Sequence, residues 1–268
     1  MPARFVWQIS PTATTRGIRY TINGLSETVN LAAGDYRWVP GAADDLAAVL
    51  ETALDTHTNS AGGDHTVTLN TGTGYITITR TLDNNAATLE WSHAGTTVDP
   101  AWFGFAAIDQ VGTGPPVSPA TWVSDYQAGH MWYPNLECLT EMEIPVQLAG
   151  MFDGVAAQGR SISYGTWITA QFTFMCVEPV RVLQYHADDT VFAAQFLTAA
   201  ADPNIALENL FTHLHTVDDG VWYFPDRTTT TPVYGPYYRW GERTDFRSWA
   251  TPEASMEPYY RCSVYLKR

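Results

Sequence analysis

The sequence predicts an α+β fold that is rich in β-structure, and three observations lead to this prediction. In residues 17–31 and 65–80, apolar and polar side chains alternate with the period of two that half-buried strands show. Between these two regions, residues 46–54 repeat apolar side chains with the period of an α-helix. The second half of the chain combines many aromatic residues with short alternating runs, which indicates further strands.

The first predicted element is a β-hairpin. Ile18, Tyr20 and Ile22 alternate with polar side chains, and Val29 and Leu31 do the same on the second strand. Asn23-Gly24 lies between the two strands, and this dipeptide is typical of a tight two-residue turn.

An amphipathic helix and a second hairpin follow. The helix places five apolar side chains on one face: Leu46, Val49, Leu50, Ala53 and Leu54. Asp44 and Asp45 are expected in its first turn, where carboxylates interact favourably with the helix dipole. The second hairpin joins Val67 and Leu69 to Ile76 and Ile78 through a Thr/Gly-rich turn, and residues 87–91 form one more strand. Residues 1–110 are thus expected to form a β-β-α-β-β module that places one helix on a sheet.

This order of elements resembles a module found in structural proteins of tailed bacteriophages. The resemblance rests on the first hairpin, the glycine-aromatic turn Gly34-Asp35-Tyr36, the Ala/Leu-rich helix, the Thr-rich strand pair and the final step Trp102-Phe103-Gly104-Phe105. It covers residues 17–107 of 268, which lie within about the first 40% of the chain. It implies a part of a virion, in the tail, neck or baseplate, and it implies no catalytic residue.

A Gly/Pro-rich stretch separates the two predicted domains. Residues 111–119 suit neither a helix interior nor a central strand, so they are expected to link the first module to a β-rich, sandwich-like domain at 120–268. That domain is expected to contain one helix, which begins at Asp202. Its expected strands are Met142–Val146, a pair at Ser161–Trp167 and Ala170–Val177, and closing strands at Val221–Phe224 and Tyr259–Leu266.

Composition excludes several classes of function. The net charge of −14 argues against specific nucleic-acid binding, because phosphates would be repelled. The same charge suits either a channel that must not retain DNA or an ordinary soluble surface. Apolar runs are too short for a membrane helix, and residues 1–10 lack the apolar region of a signal peptide, so synthesis in the host cytoplasm is expected. Cys138, Cys176 and Cys262 have no paired spacing, which favours buried thiols over a zinc site and leaves an intersubunit disulfide open.

Catalytic patterns are weak, so we expect neither an enzyme nor a cofactor. His213 and His215 would point to opposite sides of a helix and could not share one metal ion. Glu141 and Glu143 would face the same side of a strand, as a glycan hydrolase requires, but a solvated strand face has the same spacing.

An aromatic and arginine-rich segment is the candidate interaction surface. Exposed Tyr and Trp beside Arg are typical of protein interfaces and of sugar-stacking platforms. The candidate residues are Trp222, Tyr234, Tyr237, Tyr238, Arg239, Trp240, Arg243 and Arg247. The stretch from Tyr234 to Trp240 is expected to be an ordered contact loop, because Gly235 and Pro236 make it irregular for a strand.

Charge is distributed unevenly around this segment. Residues 182–226 contain seven acidic side chains and no Lys or Arg, whereas residues 227–268 contain seven Lys or Arg and four acidic side chains. Opposite patches of this kind can meet across a head-to-tail interface and close a ring, although pairing within one chain would explain them equally well.

These observations favour a structural subunit of a bacteriophage virion, most simply a tail or tail-tip (baseplate) ring component. The expected partners are copies of the same chain and other virion proteins, with no membrane involved. The alternatives are a carbohydrate- or receptor-binding module of the virion and a neck or head-decoration protein.

Overall fold

The computed structural model describes residues 4–132 and 220–224, together with the backbone of six later strands. In those later strands, side chains are described only for Pro236, Tyr238 and Leu266. The described part consists mainly of antiparallel sheets with one α-helix, which confirms a β-rich α+β fold.

The elements follow one another in two groups. The first group is β1 Arg4–Trp7, β2 Gly17–Ile22, β3 Leu25–Asn30, α1 Leu46–Leu54, β4 His65–Leu69, β5 Ile76–Arg80, β6 Ala87–Leu89, β7 Gln110–Val111, β8 Thr121–Val123 and β9 Met131–Trp132. The second group is β10 Thr140–Glu143, β11 Val146–Phe152, β12 Ser161–Val177, β13 Val221–Phe224, β14 Tyr234–Arg239, β15 Arg247–Ser248 and β16 Tyr260–Lys267. A short 3₁₀ helix, Pro100–Phe103, lies between β6 and β7.

The hairpin β2–β3 confirms the turn that the sequence predicts. Asn23 and Gly24 have φ values of 51° and 80°, which are the left-handed conformations of a type I′ turn. Ile18, Tyr20 and Ile22 are fully buried, as their alternation predicts.

Helix α1 begins at Leu46, after both of the aspartates that were expected in its first turn. Asp45 is the N-cap, and its side chain accepts a hydrogen bond from the Ala47 amide at 3.0 Å. The expectation that Asp44 and Asp45 lie in the first turn is therefore wrong: Asp45 caps the free amides from outside the helix. The apolar face is as predicted, with Leu46, Leu50 and Leu54 fully buried.

Seven strands and α1 enclose one hydrophobic core. One sheet has the order β3-β2-β6-β7 and another the order β4-β5-β8, and a single bridge between Thr113 and Thr121 joins them. The outermost strands, β3 and β4, both contact α1. The Glu51 carboxylate on α1 accepts a hydrogen bond from the Val67 amide on β4 at 2.7 Å, so the helix covers this strand edge.

A second, longer sheet contains both the first strand and the last. Its order is β10-β12-β16-β14-β13-β1-β9, with β11 also paired to β12 and β15 to β16. Strand β1 pairs with β13, and both faces of this ribbon are buried. Val6 and Phe224 belong to the core of the first group, and on the other face the Phe5 ring packs against the tilted Tyr223 ring.

Two predicted elements are wrong. The expected strand pair at 161–177 is one continuous strand, β12, because the β-branched residues Ile168 and Thr169 continue the strand where a turn would need Gly, Asn or Pro. The expected contact loop at 234–240 is strand β14 over residues 234–239. Its register against β13 shifts by one residue between the pairs Val221–Tyr237 and Tyr223–Tyr234, so a bulge accommodates Pro236.

Hydrogen bonds also cross the predicted boundary at 111–119. The Gly112 amide donates to the Ala87 carbonyl at 2.9 Å, and β8 pairs with β5. Ala120 and Trp122 are buried in the same core as Leu89. Whether the predicted domains fold separately stays a prediction, and the predicted helix after Asp202 lies outside the described residues.

Candidate functional site

The predicted aromatic and arginine-rich surface lies on the long sheet. Strand β13 carries Trp222, and the neighbouring β14 contains Tyr234, Tyr237, Tyr238 and Arg239. Arg247 lies in β15, which pairs with the same edge of β16 as β14 does, but near the start of β16. Trp240 and Arg243 fall outside the described residues.

The two described side chains of this surface have different environments. Tyr238 is 42% exposed. Trp222 is half-buried, and the guanidinium carbon of Arg37 lies 4.1 Å from the centroid of its ring. This cation–π contact joins β13 to the turn before α1, and the Arg37 Nε atom also donates to the Asp44 carboxylate. Part of the predicted surface therefore packs within the chain, and Tyr238 remains available for an external contact.

Glu141 and Glu143 lie on β10, opposite Thr173 and Gln171 of β12. Residues two apart on a strand share a face, so the expected same-side placement of these two residues agrees with the backbone. Cys138, His213 and His215 fall outside the described residues, and the side chains of Cys176 and Cys262 are not described.

A buried relay of hydrogen bonds, which the sequence analysis did not identify, lies between α1, β2 and β4. The His65 ring is 2.8 Å from Asp55 through Nδ1 and 2.9 Å from the Tyr20 hydroxyl through Nε2. An ionised carboxylate only accepts hydrogen bonds, so Nδ1–H donates to Asp55, and the unprotonated Nε2 accepts from Tyr20. Asp55, the C-cap of α1, also accepts from the Gly63 amide at 2.7 Å.

Burial sets the protonation states in this relay. It lowers the pKa of the His65 imidazole below its usual value, although the hydrogen bond to Asp55 acts in the opposite direction. It also raises the pKa of the Tyr20 phenol. Both side chains are therefore neutral at physiological pH.

A buried ion pair adjoins the relay. Arg80 is fully buried, and its Nε atom lies 2.9 Å from the carboxylate of Asp64, which is 2% exposed. The same guanidinium donates to Asp83 at 3.0 Å and to the Asn59 carbonyl at 3.0 Å. The hydrogen bond from Arg80 lowers the pKa of Asp83. Arg80 therefore joins β5 to the loops before β4 and after β5.

The order carboxylate, imidazole and hydroxyl resembles that of a catalytic triad, but its position opposes catalysis. The Tyr20 hydroxyl is buried, so it does not reach a substrate, and its raised pKa opposes loss of the proton. Among the described residues, no group of three His, Cys, Asp or Glu side chains could hold a metal ion. The geometry of this cluster suits a structural role, in which it fixes α1 against the sheet.

A half-open groove of about 390 Å³ runs between α1 and the loop after β3. Its lining is mainly apolar, and its one carboxylate, Asp45, is occupied by the Gly41 and Ala47 amides. Arg16 also lines the groove, so one cationic side chain stands beside a mainly apolar lining.

The chain matches no protein-family model, no curated protein and no solved structure. In the part of the chain that the structure describes, no helix combines the length and the apolar character needed to cross a membrane.

Proposed function

We propose that the protein is a structural subunit of a tailed-bacteriophage virion, and most specifically a ring component of the tail or tail tip. In this proposal residues 1–110 form the module that the sequence resembles, and residues 120–268 form a sandwich-like domain. The protein acts in the virion after synthesis in the host cytoplasm. Its partners are copies of itself and other virion proteins.

The observation that carries the proposal is the exposure of large aliphatic side chains on a well-packed fold. Ile108, Val111, Val117 and Val123 are 58%, 67%, 88% and 59% exposed, and all four belong to one short part of the chain. Clustered apolar residues at a surface are typical of sites of protein–protein contact. The buried titratable residues, in contrast, serve to hold the fold together. This combination favours assembly over catalysis.

The proposed ring contact joins the basic C-terminal segment of one copy to the acidic segment of the next. Residues 227–268 supply Arg239, Arg243 and Arg247, and residues 182–226 supply the carboxylates. The difference in charge between the segments suits a head-to-tail interface. Such an interface closes into a ring when the repeated rotation brings the last copy back to the first.

Charge reversal tests this contact. In the double variant Arg243→Glu/Arg247→Glu, each interface would place like charges together, so we expect ring assembly to be lost while the monomer stays folded. Size-exclusion chromatography with light scattering measures assembly, and circular dichroism measures folding. The control is Arg16→Glu, which reverses one charge outside the segment, compared with each of the single variants Arg243→Glu and Arg247→Glu. Rings that form normally in the first variant would contradict the proposal.

A receptor- or carbohydrate-binding role is the second candidate, because Tyr238 presents 42% of its surface on a strand of the long sheet. An exposed tyrosine ring can stack on a sugar. In that case Tyr238→Ala, like Tyr237→Ala or Trp240→Ala, would abolish retention on host glycans, and Arg243→Glu/Arg247→Glu would assemble normally. Loss of assembly without loss of glycan retention would exclude this candidate.

A further inference from the structure

The outer face of strands β4, β5 and β8 carries threonine and valine in place of charged side chains. We name six residues the threonine face: Thr66, Thr68, Thr77, Thr79, Thr121 and Val123. Cross-strand pairs place them in two rows, Thr68–Thr77–Val123 and Thr66–Thr79–Thr121. Their neighbours along the strands, Val67, Ile78 and Trp122, point into the core and are buried.

The threonine face continues onto the strand end at β7. Thr113 pairs with Thr121, and the same register places Val111 opposite Val123 on the outer side. These two valines are 67% and 59% exposed. The Thr113 hydroxyl donates to the Thr121 carbonyl at 3.0 Å, so its hydrogen-bonding capacity is used within the chain. Methyl groups therefore contribute much of this surface.

The threonine face contains no charged side chain, although the chain as a whole is acidic. Sheet faces that meet only water are generally polar, and natural proteins often place charged side chains at exposed strands to prevent association. This chain has a net charge of −14, so most approaches between two copies are opposed by electrostatic repulsion. Across the threonine face, two copies can meet without bringing charged side chains into contact.

We propose that the threonine face binds the same face of a second copy of this chain. In a two-fold interface each residue lies near its own counterpart, so a charged face would meet its own charge, whereas Thr and Val side chains pack against one another without that penalty. This inference rests on the proposed assembly function and identifies one surface through which copies meet. It is separate from the arginine contact that would close a ring.

The size of the face sets the expected strength. The six residues and Val111 are far fewer than the roughly 20–30 residues that each partner contributes to a stable complex. The contact is therefore weak between free copies and becomes effective when an assembly holds the copies close together. Self-association of the isolated protein should appear only at high concentration.

Sedimentation velocity on the full chain tests the proposal, at concentrations from about 10 μM to about 1 mM, the range in which weak contacts are populated. The test variant is Thr66→Lys/Thr68→Lys, which places four like charges at the two-fold interface. The control is Asn30→Lys/Thr52→Lys, which makes the same change in net charge at exposed positions on β3 and α1. Circular dichroism establishes that each variant is folded.

We expect the wild type and the control to form dimers at high concentration, and the test variant to associate at least about tenfold more weakly. Dimers of undiminished stability in the test variant, or a wild type that stays monomeric throughout, would overturn the proposal. The variant Arg243→Glu/Arg247→Glu separates the two proposals. If the wild type forms dimers but no rings, the proposed ring function fails and the threonine contact stands. If the wild type forms rings but no dimers, the threonine contact fails and the ring function stands.

Discussion

Arg80 is the most deeply buried charged residue that the structure describes, and its neighbours determine what it contributes. Its guanidinium pairs with Asp64, which is also buried, and with Asp83 near the surface. Replacing one partner of a buried pair leaves the other charge without compensation, which costs about 3–5 kcal/mol.

We therefore expect Arg80→Met to lower the free energy of unfolding by about 3–5 kcal/mol. The matched control is Arg19→Met, because Arg19 lies 3.7 Å from Glu90 in a partly exposed pair, where the expected loss is about 1 kcal/mol or less. Urea denaturation at neutral pH measures both. Equal losses in the two variants would show that the buried pair has no special role.

His65 makes stability depend on pH. Because burial lowers its pKa in the folded protein, the unfolded chain binds a proton more readily near pH 6.5. The stability that neutral His65 provides is present above pH 6.5 and is lost as the pH falls below this value toward the folded pKa. The loss cannot exceed about 1.4 kcal/mol per pH unit for one group.

Urea denaturation between pH 7.5 and pH 5 checks this prediction, with the pH values chosen around the usual histidine pKa of about 6.5. We expect His65→Gln to be less stable than the wild type at high pH and to show a shallower slope. The exposed His93, replaced by Gln, serves as the control and should retain the wild-type slope. A wild-type slope in His65→Gln would assign the pH dependence to other groups.

These residues could not be identified from the sequence because their partners are distant along the chain. Tyr20 and His65 are 45 positions apart, and only the pairing of strands brings them together. The sequence signal that could have indicated the relay is a pair of polar residues, Asp64 and His65, at the start of an alternating strand. Trp222 was predicted to lie at a protein interface, and the partner that the structure describes for its ring is Arg37 of the same chain.

At the scale of elements, the motif at residues 102–105 has a geometric cause. Gly104 ends the 3₁₀ helix with a φ of 72°, and a Cβ atom there would lie 2.3 Å from the Tyr126 carbonyl oxygen. The Tyr126 amide donates to the Gly104 carbonyl at 2.8 Å, so this close approach joins the helix end to the loop before β9. Only glycine satisfies both the backbone conformation and the space.

We expect Gly104→Ala to destabilise the protein by about 2–3 kcal/mol or more, because it adds a steric clash to the cost of the left-handed conformation. Gly24→Ala is the matched control: Gly24 has a φ of 80°, but nothing lies within 4 Å of its added Cβ. We expect Gly24→Ala to lower the free energy of unfolding by about 1–2 kcal/mol, which is the cost of the left-handed conformation without a steric clash. Thermal denaturation compares the two, and equal losses would exclude the close contact as the cause.

Local patterns predicted the elements that depend on local physics. The type I′ turn at Asn23-Gly24 and the apolar face of α1 follow from residues within one turn or one helix face. Strand β14 was missed because Gly235 and Pro236 oppose a regular strand, and only the bulge against β13 accommodates them. Strand β12 was divided in two because alternation alone does not indicate where a strand ends.

At the scale of the whole molecule, strand pairing connects parts of the chain that composition separates. The Gly/Pro-rich stretch looks like a linker, yet β8 on its far side hydrogen-bonds to β5 on its near side. Likewise, β1 begins the chain but pairs with β13, more than 200 positions away. The composition of a segment indicates whether it tends to form a turn. It does not indicate whether the strands before and after that segment pair with each other.

Cleavage within 112–119 tests whether this stretch links two independent domains or is a loop within one folded unit. Val117 is 88% exposed, so a site-specific protease sequence inserted beside it should be cut readily in the folded protein. We expect the two fragments to remain associated after cleavage, because Trp122 and Ala120 stay buried in the core that residues 17–105 form. Burial of a tryptophan alone contributes about 3–5 kcal/mol.

Native size-exclusion chromatography and tryptophan fluorescence measure the outcome. The cut protein should elute as one species with an unchanged emission maximum, and the fragments should separate only in denaturant. The control is the same insertion left uncut, which accounts for any effect of the added residues. Fragments that separate in native buffer, each still folded, would instead establish two independent domains divided at the Gly/Pro-rich stretch, and the backbone pairing of β5 with β8 would then contribute little to stability.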